Sequence, residues 1–273
     1  MLTSWYSGCP VCSGSRAALM TGRQFARIGV PGVFGPSVTA GLPLNETTVA
    51  DQLKKGGYKT AIMGKWHLGQ RPMYLPAARG FDEYLGIPYS DDMGLARRSA
   101  CPGRADQELE MLHPSDYVYR EEDSVHGDDI QNLHDLNRQQ ASGAMLPLVY
   151  QSGGVSSTPP GSGEQKYAAN TTVLEQPLDF STLAPKYSTF VVDFINKNHA
   201  EPFFLYMPFS HVHTTSGNQP QKQYASCMHQ NTSERGAFGD ALAEVDWIVG
   251  NVIEALEANK ISENTLTLFT GDK

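Results

Sequence analysis

The chain has 273 residues, of which 40% are apolar, 10% aromatic and 18% charged, and this balance excludes disorder, collagen and coiled coil. At ~150 residues per domain it holds one large or two small domains, either able to bury a core. A formal net charge of −8 disfavours duplex nucleic acid or an anionic membrane as the main partner and leaves room for a local basic pocket.

In chain order, Ser13 or Ser15 is placed to cap a helix through the alanines at 17 and 18, with Gly22 closing it. Thr47 or Thr48 caps a second helix that carries Val49 and Leu53 to Lys55, where Gly56 and Gly57 stop it. A short strand from Tyr58 to Met63 then delivers Gly64-Lys-Trp-His-Leu-Gly69 to a strand end. From about 95 to 163 the periodicity fails, and acidic pairs, Gln139-Gln140 and Pro159-Pro160 read as a long, partly mobile insertion. Ser181 or Thr182 starts another helix through Phe190, Val191, Phe194 and Ile195, its regular part following Pro185. Phe203 to Met207 is a continuous apolar run of the kind buried in a parallel sheet, and it ends in Ser210-His-Val-His213. A helix from Phe238 to Asn259 sets Ala241, Val245, Ile248, Val249, Val252, Ile253 and Leu256 on one side. A last strand, Thr265 to Phe269, leads into Thr270-Gly-Asp272. Ligands of open α/β sheets gather at the carboxyl ends of strands, so these ends are expected to form one site.

The longest apolar run, Phe203 to Phe209, is broken by Pro208 and falls short of the ~18 residues a membrane-spanning helix needs. The first nine residues have neither the basic flank nor the apolar stretch of a signal peptide. Asn45, Asn170 and Asn231 nevertheless begin N-x-S/T triplets, acceptors for glycosylation in the secretory pathway. Cys101 and Cys227 read either as incidental thiols or as one disulfide, and Cys9-Pro-Val-Cys12 has only the bare spacing of a redox pair.

Cys12 stands apart because of its neighbours. At a helix start it lies beside free backbone N–H groups, where an anion is favoured and a thiol is acidified. Arg16, one turn along, offers a planar fork to a tetrahedral oxyanion. Three residues separate Cys12 from Arg16, too few for the loop of a cysteine-dependent phosphatase.

The stretch Val11-Cys-Ser-Gly-Ser-Arg-Ala-Ala-Leu-Met-Thr-Gly-Arg23 resembles the first sulfatase signature, C-x-P-S-R-x-x-x-[LM]-T-G, with Gly14 where the signature has Pro. Gly57-Tyr-Lys-Thr-Ala-Ile-Met-Gly-Lys-Trp-His-Leu-Gly69 is similar to the second, and Gly41 to Asn45, Gly86 to Ser90 and Phe269 to Asp272 resemble further stretches of the arylsulfatase A and G group. The resemblance implies an α/β, alkaline-phosphatase-like fold, a central mixed sheet flanked by helices, expected to be incomplete at both ends as a partial catalytic domain over 1–273. It implies a sulfuric ester hydrolase that uses formylglycine made from Cys12 by the formylglycine-generating enzyme, together with a calcium ion. Arg16 and His67 would hold the formylglycine hydroxyls, Lys65 the sulfate and leaving oxygen, and His213 the sulfate as binding residue and acid. His211 is the weaker candidate for that role, Ser90 would steady the network, and Cys12 and Asp272 would ligate calcium.

The family's Asp-Asn pair reads Asp272-Lys273 here, and an ammonium cannot ligate calcium. Without the family's upstream Asp-Asp strand and second lysine, the 273 residues are expected to be a truncated product with weak or no turnover. The alternative is a non-catalytic relative that binds anions or a partner. Lysosomal or secreted residence follows from the resemblance and the triplets, and homo-oligomerisation stays open.

Overall fold

The computed structural model describes residues 6–98, 101, 110–111, 145–153, 170–215 and 223–272. Most of the expected insertion, and Lys273, lie outside them.

Helix α1, Cys12–Thr21, begins one residue before the serines expected to cap it. Val11 is the N-cap and makes no side-chain cap, whereas Ser13 and Ser15, inside the helix, bond to distant backbone: Ser13 Oγ donates to His67 O at 2.7 Å and Ser15 Oγ to Asp272 O. Gly22 closes the helix at φ 66°, its N–H on Ala18 O, as the left-handed C-cap requires. Helix α2, Val49–Lys55, starts at a reciprocal capping box: Thr48 Oγ1 accepts from Asp51 N at 3.0 Å while Asp51 Oδ2 accepts from Thr48 N at 3.0 Å.

Five strands form the sheet: β1 Lys59–Lys65, β2 Glu83–Ile87, β3 Leu148–Ser152, β4 Asn170–Glu175 and β5 Phe203–Tyr206. Their order is β4-β3-β2-β1-β5. β1 runs parallel to β2 and β5, with Met63 opposite Leu85 and Ala61 opposite Leu205, and β3 is antiparallel to both β2 and β4. A two-residue ladder joins Arg97–Arg98 to Glu110–Met111.

Side chains alternate across a strand, and β1 shows the consequence. Ile62 points into a core with Ala17, Met20, Trp66, Phe81 and Tyr84 beneath α1 and α2. Met63 points into the other, with Leu85, Leu183, Tyr187, Val191 and Ile248. That second core is covered by helix α3, Leu183–Asn198, and helix α4, Gly236–Ala258. Each large apolar side chain fully buried in this way contributes about 1.5–3 kcal/mol.

Three expectations are corrected. Pro185 sits within the first turn of α3, where no intrahelical N–H is needed, so the helix is regular from Leu183; Thr182 is its N-cap, one of the two starts expected, although its side chain makes no cap bond. Ile253 of α4 faces solvent. Thr265 to Phe269 forms no ladder, and Leu266 is 85% and Phe269 76% exposed. A strand exists only through its partner's hydrogen bonds, and among the described residues β5, at the sheet edge, pairs with β1 alone. β1, by contrast, runs on to Lys65, beyond its expected end.

Candidate active site

The parallel strands β1, β2 and β5 end on one side of the sheet, and the polar segments that follow them converge with the start of α1. Cys12, first residue of α1, is 6% exposed. Lys65, last residue of β1, reaches across to it: Nζ lies 3.4 Å from Cys12 Sγ and 2.8 Å from Ser90 Oγ, beyond the end of β2. Arg16 is buried beside them, donating from Nη1 to Lys65 O at 2.6 Å and from Nη2 to Asp272 Oδ2 at 2.9 Å.

Close backbone packing makes this reach attainable. Gly64 has φ 116°, and a Cβ there would meet Pro208 O at 2.2 Å, so only glycine lets β1 bend against the chain after β5. His67 takes φ 60°, uncommon for a residue with a side chain. The conformation is held by His67 N on Pro88 O at 3.0 Å and by Ser13 Oγ on His67 O.

The electrostatics follow from burying several cations together. Burial pushes the Cys12 thiol up, but hydrogen bonding by His213 and His67 and the charge of Lys65 outweigh it and bring the thiol down to about 3. Burial and the neighbouring Arg16 lower Lys65, opposed by Cys12, Asp91 and Asp92. Burial lowers His67 to about 4, whereas the Cys12 thiolate raises His213. Arg16 Nε and both ring nitrogens of His67 are buried without a hydrogen bond of standard geometry.

The structure brings together Cys12, Arg16, Lys65, His67, Ser90 and His213, with Asp272 alongside through Arg16. His211 turns away into Glu244. Sequence reading missed Asp91 and Asp92: Asp91 is fully buried, accepts from Tyr224 Oη at 3.1 Å and is raised by that burial, and Asp92 lies 3.8 Å from His213 Nδ1. Their signal was adjacency to Ser90 in the stretch that follows a strand end. Cys101 and Cys227 form a disulfide, and the acceptor residues Asn45, Asn170 and Asn231 are exposed.

Calcium needs about six to eight oxygen ligands. Among the described residues no three His, Cys, Asp or Glu side chains are grouped to hold a metal, and the Asp272 carboxylate is engaged by Arg16. The described residues therefore do not fit a complete calcium site, and no step below runs through the ion.

The sulfatase family model matches residues 1–273, the whole chain. The chain belongs to the sulfatase family. It is 34% identical over 270 residues to arylsulfatase G of Homo sapiens, covering 98% of this chain and 43% of that protein. Against arylsulfatase A of Homo sapiens it is 34% identical over 282 residues, covering 99% and 44%. PsFucS1 sulfatase from Pseudoalteromonas sp. has a similar structure, with a TM-score of 0.64 and 26% identity over 97% of this chain and 45% of the other. The mixed sheet flanked by helices is thus the alkaline-phosphatase-like fold of sulfatases, and the chain spans a little under half the length of these relatives. In this sulfatase chain the first signature is α1, and the second is β1 with the turn that carries His67.

Proposed function

We propose that the chain builds the sulfate-ester cleavage site of an arylsulfatase-type sulfuric ester hydrolase, with Cys12 converted to formylglycine by the formylglycine-generating enzyme. The observation that carries the reading is the convergence of Lys65, His67 and His213 on the buried Cys12 side chain, with Arg16 buried against Lys65 O. Like charges gather out of water only where an anion balances them. A hydrated aldehyde at position 12 fits the surroundings, since two oxygens in place of one sulfur would offer the buried His67 ring the hydrogen bonds of standard geometry that it lacks. Such a group supplies one hydroxyl as nucleophile and a second that later releases the sulfate.

The chain's own residues do the rest. Lys65, fixed by Ser90, neutralises a sulfate oxygen and the leaving oxygen. Arg16 presents donors to the hydroxyl at position 12, and His67, kept neutral near pH 7 by burial, accepts from it and orients it. His213, raised and half-buried at the mouth, holds the proton that the leaving alcohol or phenol takes. Calcium enters this proposal only as far as Asp272, a hard oxygen donor beside Arg16. A disulfide and three exposed glycosylation acceptors support a lysosomal or secreted setting, and the net charge of −8 speaks against a nucleic-acid partner.

The test is mass spectrometry of the tryptic peptide ending at Arg16 from protein of its natural source, combined with hydrolysis of an aryl sulfate. Formylglycine at position 12 is expected, and Lys65→Ala or His213→Ala should each lower kcat by about 10²–10⁴-fold. An intact thiol with no hydrolysis would overturn the reading. The pairing of Asp272 with Arg16 favours a second one, a non-catalytic relative. Such a chain would bind inorganic sulfate with Cys12 unconverted.

A further inference from the structure

We infer that Glu244 is a positioning residue which, through His211, fixes the loop that brings His213 to Cys12. The inference rests on the role proposed above for His213.

Glu244 lies in the middle of α4, and its side chain and that of His211 are both 0% exposed. Its two oxygens serve two separate segments. Oε2 meets His211 Nε2 at 2.8 Å, and Oε1 accepts from Ser226 N at 2.6 Å. The Tyr224 ring packs on His211 with centroids 4.7 Å apart.

Neighbouring contacts hold the same loop. Ser210 Oγ bonds Tyr187 Oη of α3 at 3.0 Å, and Val212 O accepts from Gln223 Nε2 at 3.1 Å. His213 itself makes a local bond, Nδ1 to Thr214 O at 2.9 Å, besides its approach to Asp92 and Cys12. Its position is therefore set upstream, at Ser210 and His211. Ala241, Val245 and Ile248 of α4 are buried around Glu244, where apolar side chains in place of both Glu244 and His211 would serve stability as well or better. What a carboxylate adds there is a fixed direction for His211 and, two residues on, for His213.

The experiment uses the unconverted chain and reads alkylation of Cys12 by iodoacetamide at pH 7, located by peptide fragmentation. Glu244→Ala frees His213 from a thiolate that Lys65 still stabilises, so alkylation should be about tenfold faster, the worth of one charge-assisted hydrogen bond and its cover. His211→Leu, which cuts the same link from the loop side, should do the same and stands in if Glu244→Ala does not fold. Glu244→Gln keeps both contacts, its amide oxygen accepting from Ser226 N and its amide nitrogen donating to His211 Nε2, and should leave the rate within about twofold of the parent. Ile248→Ala, a core truncation one turn along α4, destabilises without removing a partner of the Glu244–His211 link and should also leave the rate unchanged.

In aryl sulfate hydrolysis, Glu244→Ala should lower kcat about tenfold with KM unchanged. Parent-like alkylation in Glu244→Ala and His211→Leu, or equal acceleration in Ile248→Ala, overturns the inference. A parent chain that hydrolyses no aryl sulfate counts against the proposed function alone, because alkylation still decides the role of Glu244.

Discussion

A methyl group at position 14 would lie 2.6 Å from Cys9 Sγ and 3.1 Å from its Cβ. Gly14 stands where the sulfatase signature has proline, and the buried Cys9 side chain fills the space that a larger residue would take. Gly14→Ala should therefore destabilise the chain by about 1–2 kcal/mol although alanine is the better helix former. Cys9→Ala in the same chain should recover the loss, a coupling readable in a thermal-unfolding double-mutant cycle.

Cys12 offers a test of sign. Its folded-state pKa is depressed to about 3, so the thiolate persists above that and is lost only as pH falls through it. An ordinary thiol reacts nearly tenfold faster with each pH unit between about 5 and 8, whereas Cys12 should vary by less than about twofold. Lys65→Met removes one of the stabilising charges and should restore part of the slope. This much of the site was legible in sequence because both signatures are contiguous runs. Asp91 and Glu244 were not, because a carboxylate shows its role only once its partners are in place.

Elements were legible where their cause is local. Thr48 and Asp51 close the α2 capping box from four residues' distance or less, and Thr48 Oγ1 also donates to Arg79 O at 2.8 Å. Thr48→Ala should cost about 1–2 kcal/mol, since both links are buried, and chemical denaturation measures it. The end of β1 at Lys65 was less legible: Gly64 interrupts the apolar run, and only the ladder to β2 with Lys65 opposite Ile87 extends the strand. Thr265 to Phe269 errs the other way, with strand composition and no neighbouring ladder.

At the scale of the whole molecule, the Cys101–Cys227 disulfide spans 126 residues. It ties position 101 to the segment that holds Tyr224 and Ser226, the partners of Asp91 and Glu244. Reduction should cost about 2–5 kcal/mol by releasing so long a loop in the unfolded chain. Urea unfolding with and without reductant reads that cost, and Cys101→Ser should abolish the reductant's effect.

By itself the sequence determined the helices and the apolar strands on a common sheet, and it marked Cys12, Arg16, Lys65 and His67 as the candidate chemical centre. The elements follow from period and capping within a few residues, and the four side chains from contiguous stretches that resemble the sulfatase signatures. Tertiary structure decided that His211 turns into Glu244, that Asp272 meets Arg16, that Cys101 and Cys227 pair, and that the last apolar run stays out of the sheet. Each of these is a contact between segments far apart in the chain, and such a contact exists only after the sheet has aligned its strand ends and the two cores have packed against its faces.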